Sequence, residues 1–279
     1  MRTKIVSAVV CAALLVGAPC FGQVEVDARK IADSYRDAVV TVQIVVNIKE
    51  NYAGKSDSQE QKHTTTATVI DPSGLAVTSL TEVSPDSYAD ESESSSGYSF
   101  SVETKDVRIK TADGTEIAAD VVLRDRDLDL AFIRPKAKPD KPLPCIDLAN
   151  ASTPQVLDQI VILSRLGQVA NRSAAVRLDR VESVLTKPRT LYVVNNMHDE
   201  LGIPAFTLDG KCIGVLVLRY STGSRQEESN DSYQALMPCA TLANAAAQAK
   251  TATAPAPAPA KPAAPAKPAA PAKPGPTAK

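Results

Sequence analysis

The sequence contains few of the side chains that hold metal ions or form disulfides. It has only two histidines and five cysteines in 279 residues, and two of the cysteines lie near the N-terminus. The other three, Cys145, Cys212 and Cys239, show no C-x-x-C spacing and lie far along the chain from His63 and His198. A zinc site is therefore unsupported, and no metal or cofactor is predicted. Three cysteines allow at most one disulfide, whose pairing the sequence leaves open.

Hydrophobic runs long enough to cross a membrane are also lacking. Near the N-terminus, Arg2 and Lys4 precede an apolar run over residues 5–16, and small residues follow it. Because a bilayer core needs about 20 apolar residues, this pattern predicts a cleaved signal peptide over residues 1–22 and no transmembrane segment. The mature protein is then expected to be secreted or periplasmic. Lipid attachment at Cys20 is the alternative interpretation.

The C-terminal segment, residues 250–279, lacks the residues needed to build a core. It contains only Ala, Pro, Thr, Lys and a single Gly, and its lysines recur in a KPAAPA unit. This composition predicts a disordered, extended tail. The favoured interpretation of the basic tail is a solubilising spacer, and contact with an anionic envelope polymer is the alternative.

An excess of basic charge is absent from the body of the chain. Setting aside the five tail lysines and the two N-terminal cations leaves 24 basic residues against 32 acidic ones. The body therefore carries a net charge near −8. A nucleic-acid partner, which requires a basic face, is excluded on this ground.

Between the two ends, the chain reads as short strands separated by turn signals. A helical pattern over residues 24–35, with Asp27 as its expected cap, comes first. A serine-rich stretch with few apolar residues, 84–105, predicts a surface loop. A second short helix is predicted over residues 239–248. The predicted strands are 39–48, 64–70, 75–78, 107–111, 116–123 and 130–134, then 159–163, 174–183, 191–195, 205–208, 212–219 and 233–237.

These strands form two sets of six with a proline-rich stretch between them. Residues 135–144 contain four prolines and four charged residues. The sequence therefore predicts an N-terminal half over residues 23–134, a linker over residues 135–152, and a C-terminal half over residues 153–249. Such an all-β chain suits either paired barrels or a sandwich, which periodicity does not separate.

Two segments of the first half resemble HtrA/Deg-type trypsin-like serine proteases. Residues 66–83, TATVIDPSGLAVTSLTEV, are similar to the family's GSGVIIDPDGYILTNNHVV, whose catalytic histidine falls on Thr81. Residues 112–134, ADGTEIAADVVLRDRDLDLAFIR, are similar to the family's segment around the triad aspartate, which falls on Asp129. The histidine position is thus changed and the aspartate position is kept.

A third segment resembles the region of the family's nucleophile. Residues 199–217, DELGIPAFTLDGKCIGVLV, are similar to the family's GNSGGPLFNLDGKVIGIN, with Leu201 at the position of the serine. Asp199 and Glu200 replace the Gly and Asn that precede it. The resemblance implies the trypsin-like fold, two six-stranded antiparallel β-barrels, here with short N- and C-terminal helices.

The resemblance also implies that the family's chemistry is lost. In the family a serine attacks the substrate carbonyl, an imidazole takes its proton, and a carboxylate orients the imidazole. Leu201 offers no nucleophile, and Thr81 has no basic form near neutral pH. Losing both costs about 10⁶ in turnover. The oxyanion-loop positions, Asp199 to Leu201, also place a carboxylate where negative charge would develop.

We therefore expect an exported pseudoprotease, not an enzyme, that binds a protein or peptide of the cell envelope. Asp129 is then expected to act as a buried acceptor for backbone donors. A peptidase with a rearranged site at Ser164, His198 or Cys212 is the alternative from the enzyme class. An envelope-tethered structural domain is the third. His63, at the start of a strand without ligating neighbours, is interpreted as structural.

Overall fold

Two closed antiparallel β-barrels account for the strands of this protein. The computed structural model describes residues 22–52, 55–84, 98–195, 200–220 and 232–252. The strands of the first barrel are β1 (Val39–Tyr52), β2 (Lys55–Val69), β3 (Ala76–Ser79), β4 (Tyr98–Lys110), β5 (Glu116–Asp125) and β6 (Leu130–Pro135). Those of the second are β7 (Gln159–Arg165), β8 (Ala174–Leu185), β9 (Leu191–Val194), β10 (Pro204–Thr207), β11 (Cys212–Tyr220) and β12 (Ser232–Pro238).

The two barrels have the same circular order of strands. The order of neighbouring strands is β1-β2-β3-β6-β5-β4 in the first barrel and β10-β11-β12-β9-β8-β7 in the second. The last strand of each order pairs with the first, which closes the barrel. Alternate residues of each strand point inwards, as Val40, Val42 and Ile44 of β1 do, and these are almost completely buried. The predicted class of two six-stranded antiparallel barrels is confirmed.

Helices cover the outside of this framework. They are α1 (Gln23–Tyr35), α2 (Leu80–Val83) and α3 (Cys239–Thr251). Helix α1 packs on the second barrel, where the Tyr35 ring stacks on Phe206 with centroids 4.8 Å apart. The predicted Asp27 cap is wrong, because the helix begins one turn earlier. Asp27 lies inside it and accepts hydrogen bonds from Gln23 and Lys30.

The interface between the barrels is a third apolar core. Val77 and Phe132 of the first barrel, Val215 and Met237 of the second, and Leu242 of α3 belong to one buried cluster. Because burial of each large aliphatic side chain contributes about 1.5–3 kcal/mol, this cluster fixes how the barrels lie against each other. Leu130, the first residue of β6, belongs to this cluster, so Asp129 directly before it lies at the edge of the interface.

The connection between the barrels is packed rather than loose. Ile146 is 1% exposed, and its backbone N–H donates to the carbonyl of Val69 in β2. Farther on, Asn150 accepts a hydrogen bond from the N–H of Cys212 in β11. The part of the connection that follows the proline-rich stretch is thus bonded to the first barrel at Ile146 and to the second barrel at Asn150.

The prediction of a surface loop over residues 84–105 is wrong for residues 98–105. Tyr98 to Lys110 form β4, which pairs with β1 from Tyr98 opposite Tyr52 to Lys110 opposite Thr41. The loop prediction gave weight to the serines, whereas Tyr98, Phe100 and Val102 alternate with polar residues, which is the pattern of a strand. Residues 85–97 lie outside the described residues.

The chain ends fall largely outside the described residues. Residues 1–21, which hold the predicted signal peptide, and residues 253–279, which hold most of the predicted tail, are among them. Of the helices in the described ranges, none combines the length and apolar character that crossing a bilayer requires.

Candidate functional site

Asp129 occupies a buried turn between the two barrels. It lies directly before β6, is 1% exposed, and has a positive φ of 56°, which is uncommon for a residue with a side chain. Its own carbonyl accepts a hydrogen bond of 3.1 Å from the N–H of Leu80 in α2. The turn therefore holds the carboxylate against α2 on one side and the second barrel on the other.

Both oxygens of this carboxylate are fully engaged. Oδ1 accepts from the backbone N–H of Thr81 at 3.0 Å and from its hydroxyl at 2.9 Å. Oδ2 accepts from the hydroxyl of Ser79 at 2.5 Å and from the N–H of Leu218 at 2.8 Å. Burying a carboxylate is costly unless its oxygens are hydrogen-bonded. These donors from β3, α2 and β11 supply that compensation and join the barrels.

Thr81 contacts Asp129, as the resemblance implies for the family's catalytic histidine. It lies on the short helix α2 and is half-buried. Its hydroxyl proton is directed at Oδ1 of Asp129. An imidazole that donates to a carboxylate keeps a second nitrogen that can take a proton, whereas a threonine hydroxyl has no basic atom near neutral pH.

Leu201 faces the interior of the second barrel. It is 4% exposed and belongs to the same buried cluster as Ile162, Val194 and Ile213. A side chain at this position therefore contributes to the core of the barrel. A substrate approaching the surface would not meet it.

The backbone after Leu201 is fixed between the barrels. The carbonyl of Gly202 accepts a 2.8 Å hydrogen bond from the hydroxyl of Thr68, and its N–H donates to the carbonyl of Leu216. Gly202 has a φ of 75°, and a Cβ there would lie 2.3 Å from Oγ1 of Thr78 and 2.4 Å from the carbonyl of Thr66. Glycine is thus required by both conformation and space.

The remaining oxyanion-loop and histidine positions are only partly described. Glu200 is half-buried beside Leu201, whereas Asp199 and His198 lie outside the described residues. His63 lies on β2, and its Nε2 is 2.7 Å from the carbonyl of Glu82 in α2. It therefore holds the helix that carries Thr81, in agreement with a structural interpretation.

The other nucleophile candidates are buried. Ser164 of β7 is 8% exposed and Cys212 of β11 is 2% exposed. The hydrogen bond to the Cys239 thiol, together with burial, raises the pKa of the Cys212 thiol. A reactive cysteine needs the opposite shift. Within the described ranges, no group of three or more His, Cys, Asp and Glu side chains is arranged to hold a metal ion.

Arginines surround the outer side of the Asp129 turn, a feature the sequence did not reveal. Arg189 pairs with the carboxylate of Asp127, and Arg219 donates to the carbonyl of the same residue at 2.6 Å. Arg124 lies near α2, with its Nε 3.4 Å from the hydroxyl of Ser84. These arginines come from separate strands and loops, so no local motif could have indicated them. We refer to Arg124, Arg189 and Arg219 as the arginine rim.

Paired six-stranded barrels with a buried aspartate between them define a trypsin-like architecture. The profile of the trypsin-like peptidase domain family matches residues 65–215, more than half of the chain. The protein belongs to this family.

A curated relative agrees with the resemblance to HtrA/Deg-type proteases. The chain is 25% identical over 157 residues to the "Probable periplasmic serine endoprotease DegP-like" of Rickettsia conorii. That match covers 53% of this chain and 27% of the relative. The chain therefore spans about a quarter of the length of that relative.

Proposed function

We propose that this protein is an exported pseudoprotease, which binds an extended peptide or protein segment without cleaving it. The observation that carries the proposal is the pair of contacts made by Thr81 and Leu201. The hydroxyl of Thr81 donates to Asp129, and the side chain of Leu201 is buried in the second barrel. Neither position offers the base or the nucleophile that acyl transfer requires.

The departure from a protease active site extends beyond the two side chains at positions 81 and 201. Hydrogen bonds from Gly202 to both barrels hold the backbone next to Leu201 in place. A serine introduced at position 201 would start inside an apolar cluster, away from substrate. Loss of nucleophile and base together lowers turnover by about 10⁶, because the triad residues act as a unit.

The surface that we propose for binding is the rim of the Asp129 turn. Because both barrels are closed and leave no free sheet edge among the described strands, side-chain contacts at the rim and not strand addition are proposed to hold the segment. The side chains of Arg189 and Arg219 converge on Asp127 and retain further N–H donors. Because guanidinium groups bind carboxylates and phosphates strongly, the arginine rim favours an acidic segment.

Unfolded casein, an acidic polypeptide, serves as the probe for this proposal. Fluorescently labelled casein is titrated with the full chain, anisotropy is recorded, and the casein is then examined on a denaturing gel. We expect saturable binding of intact casein. Cleavage would contradict the pseudoprotease proposal, and absence of binding would contradict the peptide-binding proposal.

A substitution pair locates the binding surface. Arg189→Ala removes a rim cation that is 26% exposed, and we expect it to weaken casein binding about tenfold, as for the loss of one charge-assisted hydrogen bond. Arg108→Ala on β4 is the matched control, because Arg108 is also paired with an aspartate and is 46% exposed. Equal effects of both substitutions would point to general charge attraction and count against the rim.

Export is the second part of the proposal. It is supported by the charged and apolar pattern of residues 1–22 and by the word "periplasmic" in the name of the relative. The intact mass of the protein from envelope fractions tests it. We expect a chain that begins near residue 23. A lipid-modified chain beginning at Cys20 would support envelope anchoring instead, and retention of residues 1–22 would contradict cleavage.

Beside the role of a solubilising spacer, a second role proposed for the tail is contact of its lysines with an anionic envelope polymer. Removing residues 253–279 tests this and leaves Lys250, which pairs with Asp71 at 2.6 Å, in place. We expect the shortened protein to leave the insoluble envelope fraction. An unchanged distribution would favour the solubilising spacer.

A further inference from the structure

Two of the three cysteines outside the N-terminal segment are brought together at the end of the second barrel. Cys212 is the first residue of β11, and Cys239 begins α3 directly after β12. The two strands pair with Gly214 opposite Pro238. Cys212 therefore lies two residues before Gly214, and Cys239 directly follows Pro238.

The surroundings of the two thiols are dry and tightly packed. Cys212 is 2% exposed and Cys239 is 1% exposed. Both belong to one buried cluster with Leu163 and Phe206. Both are free thiols in this structure. Their burial in one cluster, at neighbouring ends of two paired strands, places them in the arrangement from which a disulfide can form.

Cys145 lies in a different part of the molecule. It is half-buried on the segment that connects the barrels and packs against the core of the first barrel. Its thiol is near Asp71, and burial together with that carboxylate raises its pKa. It shares no buried cluster with Cys212 or Cys239.

We propose that Cys212 and Cys239 form a disulfide and that Cys145 is left as the free thiol. The occurrence of this bond in the cell rests on the proposed export, because disulfides persist in oxidising compartments. The bond would join β11, the strand whose Leu218 donates to Asp129, to the start of the last helix. It would close a loop that includes residues 213–238.

The reaction is a thiol–disulfide exchange. One thiolate attacks a sulfur of an external disulfide, either a protein oxidant or oxidised glutathione. The S–S bond of the oxidant breaks, one of its sulfurs leaves as a thiolate, and the other stays bonded to the protein in a mixed disulfide. The second thiolate then attacks the protein sulfur, which forms the Cys212–Cys239 bond and releases the reduced oxidant. Two protons and two electrons leave the protein. Because both thiols are buried in the folded chain, this exchange must take place before folding is complete.

Refolding of the purified full chain tests the proposal. The Cys145→Ser variant is unfolded under reducing conditions and refolded with oxidised and reduced glutathione, and its free thiols are then counted in denaturant. We expect both thiols to disappear, and peptide mapping to find one cross-linked peptide pair that separates on reduction. Two remaining thiols would overturn the proposal.

Further variants identify which cysteines form the bond. Cys212→Ala and Cys239→Ala should each abolish the intramolecular cross-link, whereas native Cys145 should stay reactive in the full chain. A bond that includes Cys145 would also overturn the assignment. Because refolding uses purified protein, its outcome does not depend on export. In cells, a bond that forms only when residues 1–22 are present supports export. A bond that forms with purified protein but not in cells shows that the pairing is correct and that the proposed export has failed.

Discussion

The hydroxyl of Thr81 donates a 2.9 Å hydrogen bond to Oδ1 of Asp129, in the position where the trypsin-like resemblance implies an imidazole. The carboxylate also accepts from Ser79 of β3 and from Leu218 of the second barrel. A group that orients a base in active proteases is thus engaged by donors from both barrels. We expect the contribution of this carboxylate in the present protein to be to stability.

Asp129→Asn is expected to destabilise the fold by about 2–4 kcal/mol. The amide nitrogen would replace one carboxylate oxygen and would face two donors, which leaves buried N–H or O–H groups unsatisfied. Urea unfolding followed by circular dichroism measures the change. Asp33→Asn is the control, because that side chain is 71% exposed and its ion pair is on the surface. Equal midpoints for Asp129→Asn and the wild type would contradict the structural assignment.

Gly202→Ala is expected to be much more destabilising than Gly114→Ala. Both glycines have positive φ, of 75° and 86°, so both substitutions incur a backbone cost of about 1–2 kcal/mol. Only at Gly202 would the new Cβ meet Thr78 and Thr66, whereas nothing lies within 4 Å at Gly114. The difference between the two unfolding midpoints therefore isolates the steric clash. Equal losses would show that the contact between the barrels is adjustable.

Leu201→Ser is expected to lower stability by about 3 kcal/mol and to create no peptidase activity. The substitution leaves a cavity and places a hydroxyl in an apolar cluster. Leu178→Ser serves as the control, because Leu178 is 40% exposed on β8. Casein hydrolysis by Leu201→Ser, alone or with Thr81→His, would show that position 201 is open to substrate after all.

Acid should weaken the attachment of α3 to the first barrel. The ammonium of Lys250, 2.6 Å away, and the N–H of Ser73 lower the pKa of Asp71 from 3.8 to about 2. A lowered folded pKa stabilises the protein above pH 4 and loses that contribution as the pH falls from about 4 to 2. Since Lys250 is 55% exposed, screening limits the contribution to about 1 kcal/mol.

The variant Lys250→Ala checks this pH dependence. It should be less stable than the wild type at pH 7, and the difference should disappear near pH 2. Lys141→Ala, at an exposed position of the connecting segment, is the control. A difference that persists unchanged at pH 2 would indicate lost packing and not lost charge.

The strands of the barrels could be predicted from the sequence where their residue types are typical of strands. The β-branched run over residues 39–48 indicates a strand, and the structure places Val40, Val42 and Ile44 in the core of the first barrel, with Thr41 and Gln43 between them also buried. Tyr98, Phe100 and Val102 alternate with serines and a glutamate, so a strand pattern is present in this part of β4 and the loop prediction overlooked it. The short helix α2 was also not predicted, because four residues give no periodic signal.

The candidate site was predictable only where it follows a local motif. The resemblance placed Thr81 and Asp129 at related positions, and the structure puts them in direct contact. The inward direction of Leu201 and the close fit of Gly202 against Thr66 and Thr78 depend on how the barrels meet. Such contacts between distant segments leave no trace in spacing or composition.

A fluorophosphonate probe, which reacts covalently with activated serines, tests the central claim most directly. The full chain is incubated with the probe in its native state, beside a heat-denatured sample and an active trypsin-like protease as positive control. The account predicts no labelling of the native chain, because Thr81 is held as a donor to Asp129 and Leu201 is buried. Labelling of the native chain that disappears on denaturation would contradict it.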